Sequence, residues 1–278
     1  MNSHPAEQSP LGKSTAYVSH YSPQLLFPIA RDTKWQELGL RGDSLPFVGE
    51  DIWNCCELSW LEPGGKPRVM AAEFRFAASS PAIIESKSFK LYLNSFNQSR
   101  FDSVEAVQQV LQRDLSAACG APVQVLLQDL HGLREAGLAE LQGKSLDDLD
   151  VQVDQYHYNP ALLALVEPAV RVEQTWVTDL FKSNCPVTGQ PDWASLQISY
   201  AGPQLDEKAL LRYLLSFREH ADFHEQCVER IFCDLRGILG DDCRLLVSAR
   251  YLRRGGLDIN PWRSCGMPAP GNLRLARQ

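Results

Sequence analysis

The chain has 278 residues, 44% of them hydrophobic and 22% charged, with 18 glycines and 17 prolines. These proportions allow one large domain or two of ordinary size with a real core, and they exclude collagen-like and wholly disordered chains. Lys and Arg number 27 against 34 Asp and Glu, a formal charge of −7, the wrong sign for a protein whose main task is neutralising a phosphate backbone.

A local basic pocket for a small phosphorylated ligand stays open. No apolar run approaches the roughly eighteen residues of a membrane span, and the first twenty residues lack the apolar stretch of a secretory signal. The expectation is a soluble, cytoplasmic chain. None of the eight cysteines forms a Cys-x-x-Cys pair and no histidine spacing completes a zinc finger, so a structural metal or disulfide framework is not expected.

Along the chain, residues 1–45 mix Ser, Pro and Gly without a sustained period and read as an extended arm with turns. Segments 52–61 and 68–79 read as strands joined by the turn EPGGKP. Within IIESKSFK (83–90), the apolar pair Ile83 and Ile84 precedes Glu85, Ser86, Lys87, Ser88 and Lys90. Ser86 could cap a helix; alternatively the carboxylate meets a nitrogenous base, and the hydroxyl and ammonium groups meet phosphate. The stretch 102–120 has a helical apolar period, with Asp102 or Ser103 to cap its start and Gly120 to stop it. Segment 123–130 returns to strand, and the polar, acidic stretch 136–160 reads as a linker.

The second half repeats this order: strand over 196–202, helix over 223–239, strand over 243–252. Lys87, Tyr92, Leu93, Ser95 and Phe96 recur 121 positions later as Lys208, Tyr213, Leu214, Ser216 and Phe217, a weak internal repeat. The expected organisation is an N-terminal arm (1–45), a first module (46–135), the linker and a second module (161–278).

Three groups could carry chemistry. Cys185 lies in FKSNCPVTGQPDW (181–193), which Pro186, Gly189 and Pro191 mark as a turn-rich loop, so its thiol should be more exposed than that of Cys227 on an apolar helix face. Asp192 follows seven residues later and could take the thiol proton; the alternative is a plain loop thiol. His224 and Glu225 open the second-half helix, either as a solvated first turn or as a carboxylate gripping ligand NH groups. Position 228 is Val, so no His-Glu-x-x-His zinc motif exists. Arg253, Arg254, Gly255 and Gly256 combine guanidinium forks with close backbone approach, which suits a pyrophosphate or ribose phosphate. No Gly-x-Gly-x-x-Gly follows a strand, so a Rossmann domain is disfavoured.

The segments ESKSFKLYLNSFNQSRF (85–101), SNCPVTGQPDWASLQI (183–198), LLRYLLSFREHADFHEQCVERIF (210–232) and ARYLRRGGLDINPWR (249–263) together resemble the NADPH-dependent 7-cyano-7-deazaguanine reductases, the nitrile reductases of queuosine biosynthesis. The likeness is to the long, two-module form and spans about Leu11 to Ser264. It implies an α+β fold of tandem tunnelling-fold modules, antiparallel sheets backed by helices, with one composite site per chain. It further implies Cys185 as nucleophile and Asp192 as proton carrier. Ile83, Ile84, Glu85, His224 and Glu225 would bind a deazapurine substrate, and Ser86, Lys87, Arg253, Arg254 and Gly255 would meet NADPH, two molecules per turnover and with no metal. A homodimer that binds neither nucleic acid nor membrane is expected.

The chemistry is consistent with that likeness. Nitrile to primary amine takes four electrons, hence two hydrides, and a nitrile carbon is a poor hydride acceptor. A thiolate adduct, the thioimide, is a better one, so covalent catalysis divides the hard step. A metal-dependent cyclohydrolase on a related fold lacks its ligand set here. A binding protein that merely sequesters a deazapurine leaves the loop thiol and Asp192 without a task.

Overall fold

The computed structural model describes residues 17–278 together with Ser9, Pro10 and Gly12; the remainder of the expected N-terminal arm lies outside the described residues. Two compact units are present. The first gathers the described residues up to Ser44, Ile52–Gly137 and Arg253–Asp258; the second gathers Leu45–Asp51, Leu138–Leu252 and Ile259–Gln278. These units are not the contiguous blocks 46–135 and 161–278, because strands β2 (Val48–Leu61) and β10 (Leu257–Cys265) each contribute residues to both.

In the first unit, β3 (Pro67–Ala77) lies between β2 and β5 (Val123–Gln128), pairing antiparallel with β5 from Ala71↔Gln128 to Phe76↔Val123. The β2–β3 turn closes with Gly65 N donating to Glu62 O, and Gly65 takes φ +89°, a conformation that glycine adopts without strain. Helix α2 (Ser86–Asn94) and helix α3 (Val104–Cys119) accompany the sheet. Helix α3 begins at Ser103, whose Oγ accepts from Ala106 N at 3.1 Å, and ends at Gly120 with φ +77°. Its buried stripe Val107, Leu111, Leu115 is the helical period read from the sequence. Phe74, Phe76 and Phe89 meet edge to face in the core, Phe74 and Phe89 at 5.0 Å between centroids. Each such ring adds roughly 0.5–1.5 kcal/mol beyond its area burial.

The arm is more ordered than expected. Residues Pro28–Ala30 form β1, antiparallel to β4 (Ala82–Ile84), and Asp32–Glu37 form the short helix α1. Three residues are too few to show a period of two, which is why the strand was not visible as a pattern. Its effect is local and important: Phe27 O accepts from Glu85 N at 2.9 Å, and Phe27 N donates to Ser88 Oγ at 3.1 Å. The backbone around Ile83, Ile84 and Glu85 is thereby held in place.

In the second unit the strand order is β10, β9 (Arg244–Tyr251), β8 (Pro191–Pro203), β7 (Arg171–Asn184), β6 (Lys144–Ser145). Strands β7 and β8 form a long hairpin with Asn184↔Pro191 and Ser183↔Asp192 at its closed end and a register irregularity between Thr178 and Phe181. The short β6 pairs parallel to β7, so the sheet is mixed rather than wholly antiparallel. Helix α4 (Leu130–Ala136) closes the first unit, while α5 (Glu207–Leu215) and α6 (His224–Leu239) belong to the second, α6 packing on β9.

The internal repeat has structural content in each unit. Helices α2 and α5 both end at a serine with φ −65° and ψ −16°, Ser95 and Ser216. Ser95 Oγ donates to Tyr92 O at 2.6 Å, and Ser216 Oγ to Tyr213 O at 2.7 Å. Tyr92 donates its hydroxyl to Asp114 of α3 at 2.8 Å, and Tyr213 to Asp234 of α6 at 2.5 Å. The repeated tyrosines thus tie each short helix to its long neighbour, and the repeated serines close each short helix on its own carbonyl.

Candidate active site

In the second unit the closed end of the β7–β8 hairpin carries Cys185. The strand continues one rung beyond Asn184: Cys185 N donates to Gln190 O at 2.8 Å and Gly189 N to Cys185 O at 3.0 Å. Gly189 turns the chain at φ +67°. Alternate residues of a strand share a face, so Phe181, Ser183 and Cys185 point together, and Asp192 lies opposite Ser183 on that face. All four are buried. Cys185 is 8% exposed against 0% for Cys227; the order matches the expectation, but the thiol is buried rather than on an open loop.

A flanking segment delivers the histidine. Asn184 N donates to His220 O at 2.8 Å, and Asp222 N to Asn184 O at 3.1 Å. Lys182 Nζ donates to Arg218 O at 2.6 Å. These bonds fix residues 218–222 alongside the hairpin, and helix α6 starts directly after them. The N–H of the residue that caps it, Phe223, donates to both Gln226 Oε1 and Asp222 Oδ1. His224 Nε2 then lies 3.2 Å from Asp192 Oδ2, while the His224 ring stacks on Tyr251 at 3.8 Å and 17°. Glu225 is 2% exposed, which removes the solvated-first-turn reading of this pair.

Burial marks several of the other thiols as poor nucleophiles. Burial pushes Cys55 and Cys233 up to about 12, and burial followed by the nearby Asp222 carboxylate drives Cys227 higher still. Such thiols are protonated at neutral pH and poor nucleophiles. Cys227 is therefore a protonated thiol on the buried face of α6.

The first unit holds the other expected residues. Ile83 and Ile84 are buried on β4, and Glu85 follows as the cap of α2. Its two carboxylate oxygens accept from Lys87 N at 2.6 Å and Ser88 N at 2.8 Å. The capping role offered to Ser86 thus falls to Glu85; Ser86 is the first helical residue, its Oγ 3.4 Å from Glu85 Oε1. Burial raises the Glu85 carboxyl above its ordinary range, against the lowering pull of those two amides. Arg253, Arg254, Gly255 and Gly256 follow in the same unit, the two glycines at φ +58° and +78°. A Cβ on Gly255 would stand 3.4 Å from the Lys90 side chain, and one on Gly256 would collide with Glu57. The positive φ at both positions and the close approach of Gly256 to Glu57 of β2 call for glycine in this turn, which at Gly255 lies beside Lys90 of α2. Lys90 beside a glycine turn that directly follows Arg253 and Arg254 fits a phosphate-bearing ligand.

Tyr251 and Ser183 were not singled out from the sequence. Both belong to inward positions of strands, Tyr251 opposite Ala194 and Ser183 opposite Asp192. Strand register was the signal that could have found them. Among the described residues no group of three or more His, Cys, Asp or Glu is placed to hold a metal ion, and no helix is long and apolar enough to cross a membrane.

Residues 17–127 match the family model described as nitrile reductase, 7-cyano-7-deazaguanine-reductase N-term, and residues 191–269 match the model described as QueF-like protein. Over 273 residues the chain is 56% identical to the NADPH-dependent 7-cyano-7-deazaguanine reductase of Burkholderia multivorans, covering 98% of this chain and 99% of that protein.

Proposed function

The chain belongs to the 7-cyano-7-deazaguanine reductase family, and from that premise we propose that it reduces the nitrile of 7-cyano-7-deazaguanine to a primary amine at the expense of two NADPH, in tRNA queuosine biosynthesis. Cys185 is the nucleophile. Its thiolate adds to the nitrile carbon, the nitrogen takes a proton, and a thioimide forms. When bound, the cofactor supplies hydride. The first hydride reaches the thioimide carbon, the thiolate leaves to give an imine, and the second hydride with a further proton gives the aminomethyl product.

The observation that carries this reading is the His224–Asp192 contact at 3.2 Å on the buried face that Cys185 shares. A carboxylate there can take the thiol proton and return it to the developing imide nitrogen. His224 orients that carboxylate and supports proton transfer. Cys185 and Asp192 are buried, which limits the access of water to a thioimide and an imine formed there. Glu225 and Glu85 suit the donor edge of the deazaguanine ring, since carboxylates accept and do not donate when ionised. Ile83 and Ile84 supply an apolar surface for the ring. Ser86, Lys87, Arg253 and Arg254, with Gly255 permitting close approach, hold the cofactor phosphates; that all five fall in one unit with Lys90 supports this assignment.

The repeated helix pairs favour two tunnelling-fold modules, and the absence of a net basic charge favours a cytosolic enzyme that makes a base precursor without binding tRNA. A homodimer is the assembly proposed. NADPH oxidation on adding the nitrile, with two NADPH consumed per amine formed, tests the function. No oxidation, or oxidation without amine, refutes it.

A further inference from the structure

Gln278 is only 7% exposed, and its carboxamide is fully engaged. Its Nε2 donates to Tyr251 O at 3.1 Å and to Asn260 Oδ1 at 2.5 Å. Its Oε1 accepts from Arg250 Nε at 3.3 Å and from Leu275 N at 3.2 Å. Arg250 also binds the segment before it, donating to Asn272 Oδ1 at 2.8 Å and to the Leu273 carbonyl. Ordering a glutamine side chain costs more rotamer entropy than ordering most residues, so four bonds on one buried amide mark a position with a defined task.

That task is legible from the strands. The β9–β10 ladder runs from Cys265↔Leu245 to Trp262↔Ser248. Three residues further along β9, the Tyr251 carbonyl accepts from Gln278, and the same amide nitrogen reaches Asn260 of β10. The carboxamide is a rung between the two strands at the level of Tyr251. On the other side Tyr251 pairs with Ala194 of β8, two residues from Asp192. The Tyr251 ring is the surface on which His224 lies flat.

We infer that Gln278 is a positioning residue for the proton-transfer pair: by bridging β9 and β10 it fixes Tyr251, and through the stacked ring it fixes how closely His224 approaches Asp192. This rests on the roles proposed above for those two residues. The sensitivity follows from distance. His224 and Asp192 stand at 3.2 Å, the outer edge of the roughly 2.6–3.2 Å within which proton transfer is efficient, so a displacement of a few tenths of an ångström breaks the contact.

The test uses Gln278→Glu and Gln278→Ala in the full chain. Glutamate keeps the acceptor for Arg250 and Leu275, so residues 271–278 stay docked, but it loses both donors to Tyr251 and Asn260. The readouts are the rate of nitrile adduct formation on Cys185 without NADPH and the affinity for a non-nitrile deazaguanine, with His224→Ala measured alongside. Both Gln278 variants should slow the adduct roughly 3- to 10-fold, the effect of about one net hydrogen bond, with analogue affinity unchanged. Adduct formation at the parent rate in Gln278→Glu, while His224→Ala is slow, overturns the positioning role alone. Affinity falling in step with rate also overturns it, because the residue then shapes the pocket generally. If His224→Ala reacts at the parent rate, the proposed proton-transfer pair fails and this inference fails with it.

Discussion

Glu85 has two tasks that one substitution would confound, and the duplication supplies the control. Its carboxylate caps α2 through Lys87 N and Ser88 N, while Asp206 caps the corresponding helix α5 through Ala209 N at 2.8 Å. Losing an N-cap costs about 0.5–2 kcal/mol, and an amide left buried and unpaired about 1–3 kcal/mol. With two amides served from a buried position, Glu85→Ala should destabilise the protein by roughly 2–3 kcal/mol, whereas Asp206→Ala, with one bond at a half-buried position, should cost about 1 kcal/mol. Only Glu85 is proposed to meet the substrate. A hydrogen bond to a charged group is worth about 1.5–3 kcal/mol, so Glu85→Ala should bind a non-nitrile deazaguanine roughly 10- to 100-fold more weakly and Asp206→Ala should bind it normally. Denaturant unfolding gives the first quantity and calorimetry the second. If Glu85→Ala loses stability as stated but keeps full analogue affinity, Glu85 is a cap alone.

Arg253→Ala and Arg254→Ala should each lower the NADPH/NADH ratio of kcat/KM roughly 10- to 100-fold, the loss of a charge-assisted contact; unchanged ratios would mean that neither reads the 2′-phosphate. Asp192→Ala should slow adduct formation while leaving analogue binding nearly intact, and lost binding would instead make Asp192 a substrate ligand. The raised Glu85 carboxyl predicts a pH effect on stability. The folded protein holds that proton more tightly than the unfolded chain, so the contribution is fully present below the ordinary glutamate value of about 4.3 and lost as pH rises through the folded value. Glu85→Gln should therefore lose less stability than the parent as pH rises above about 4; parallel curves would contradict the sign.

Much of this was readable from residues. Helix α3 declared itself through Ser103, Gly120 and the 107, 111, 115 stripe, and α6 through a similar period. The repeat was visible because the same tyrosine and serine spacing serves equivalent bonds in each unit, Tyr92 to Asp114 and Tyr213 to Asp234. Other elements were hidden for identifiable reasons. Strand β7 has its alternation broken between Thr178 and Phe181, and β10 is buried along almost its whole length, so it shows no alternation to read. The capping by Glu85 went unseen because Ser is the commoner cap, and a glutamate reaches two amides only when burial fixes its rotamer. Cys185, Asp192 and His224 stood out as candidates by residue type and spacing, and the family resemblance gave them their expected roles. Tyr251 and Gln278 carry no chemical signature, and only strand register and packing reveal them.

The most direct measurement is intact and peptide mass after mixing the protein with 7-cyano-7-deazaguanine in the absence of NADPH. The expected result is a gain equal to one nitrile molecule, located on Cys185, absent from Cys185→Ala and slow to appear in Asp192→Ala. No adduct, or an adduct on Cys227 or Cys265, would contradict covalent catalysis by Cys185.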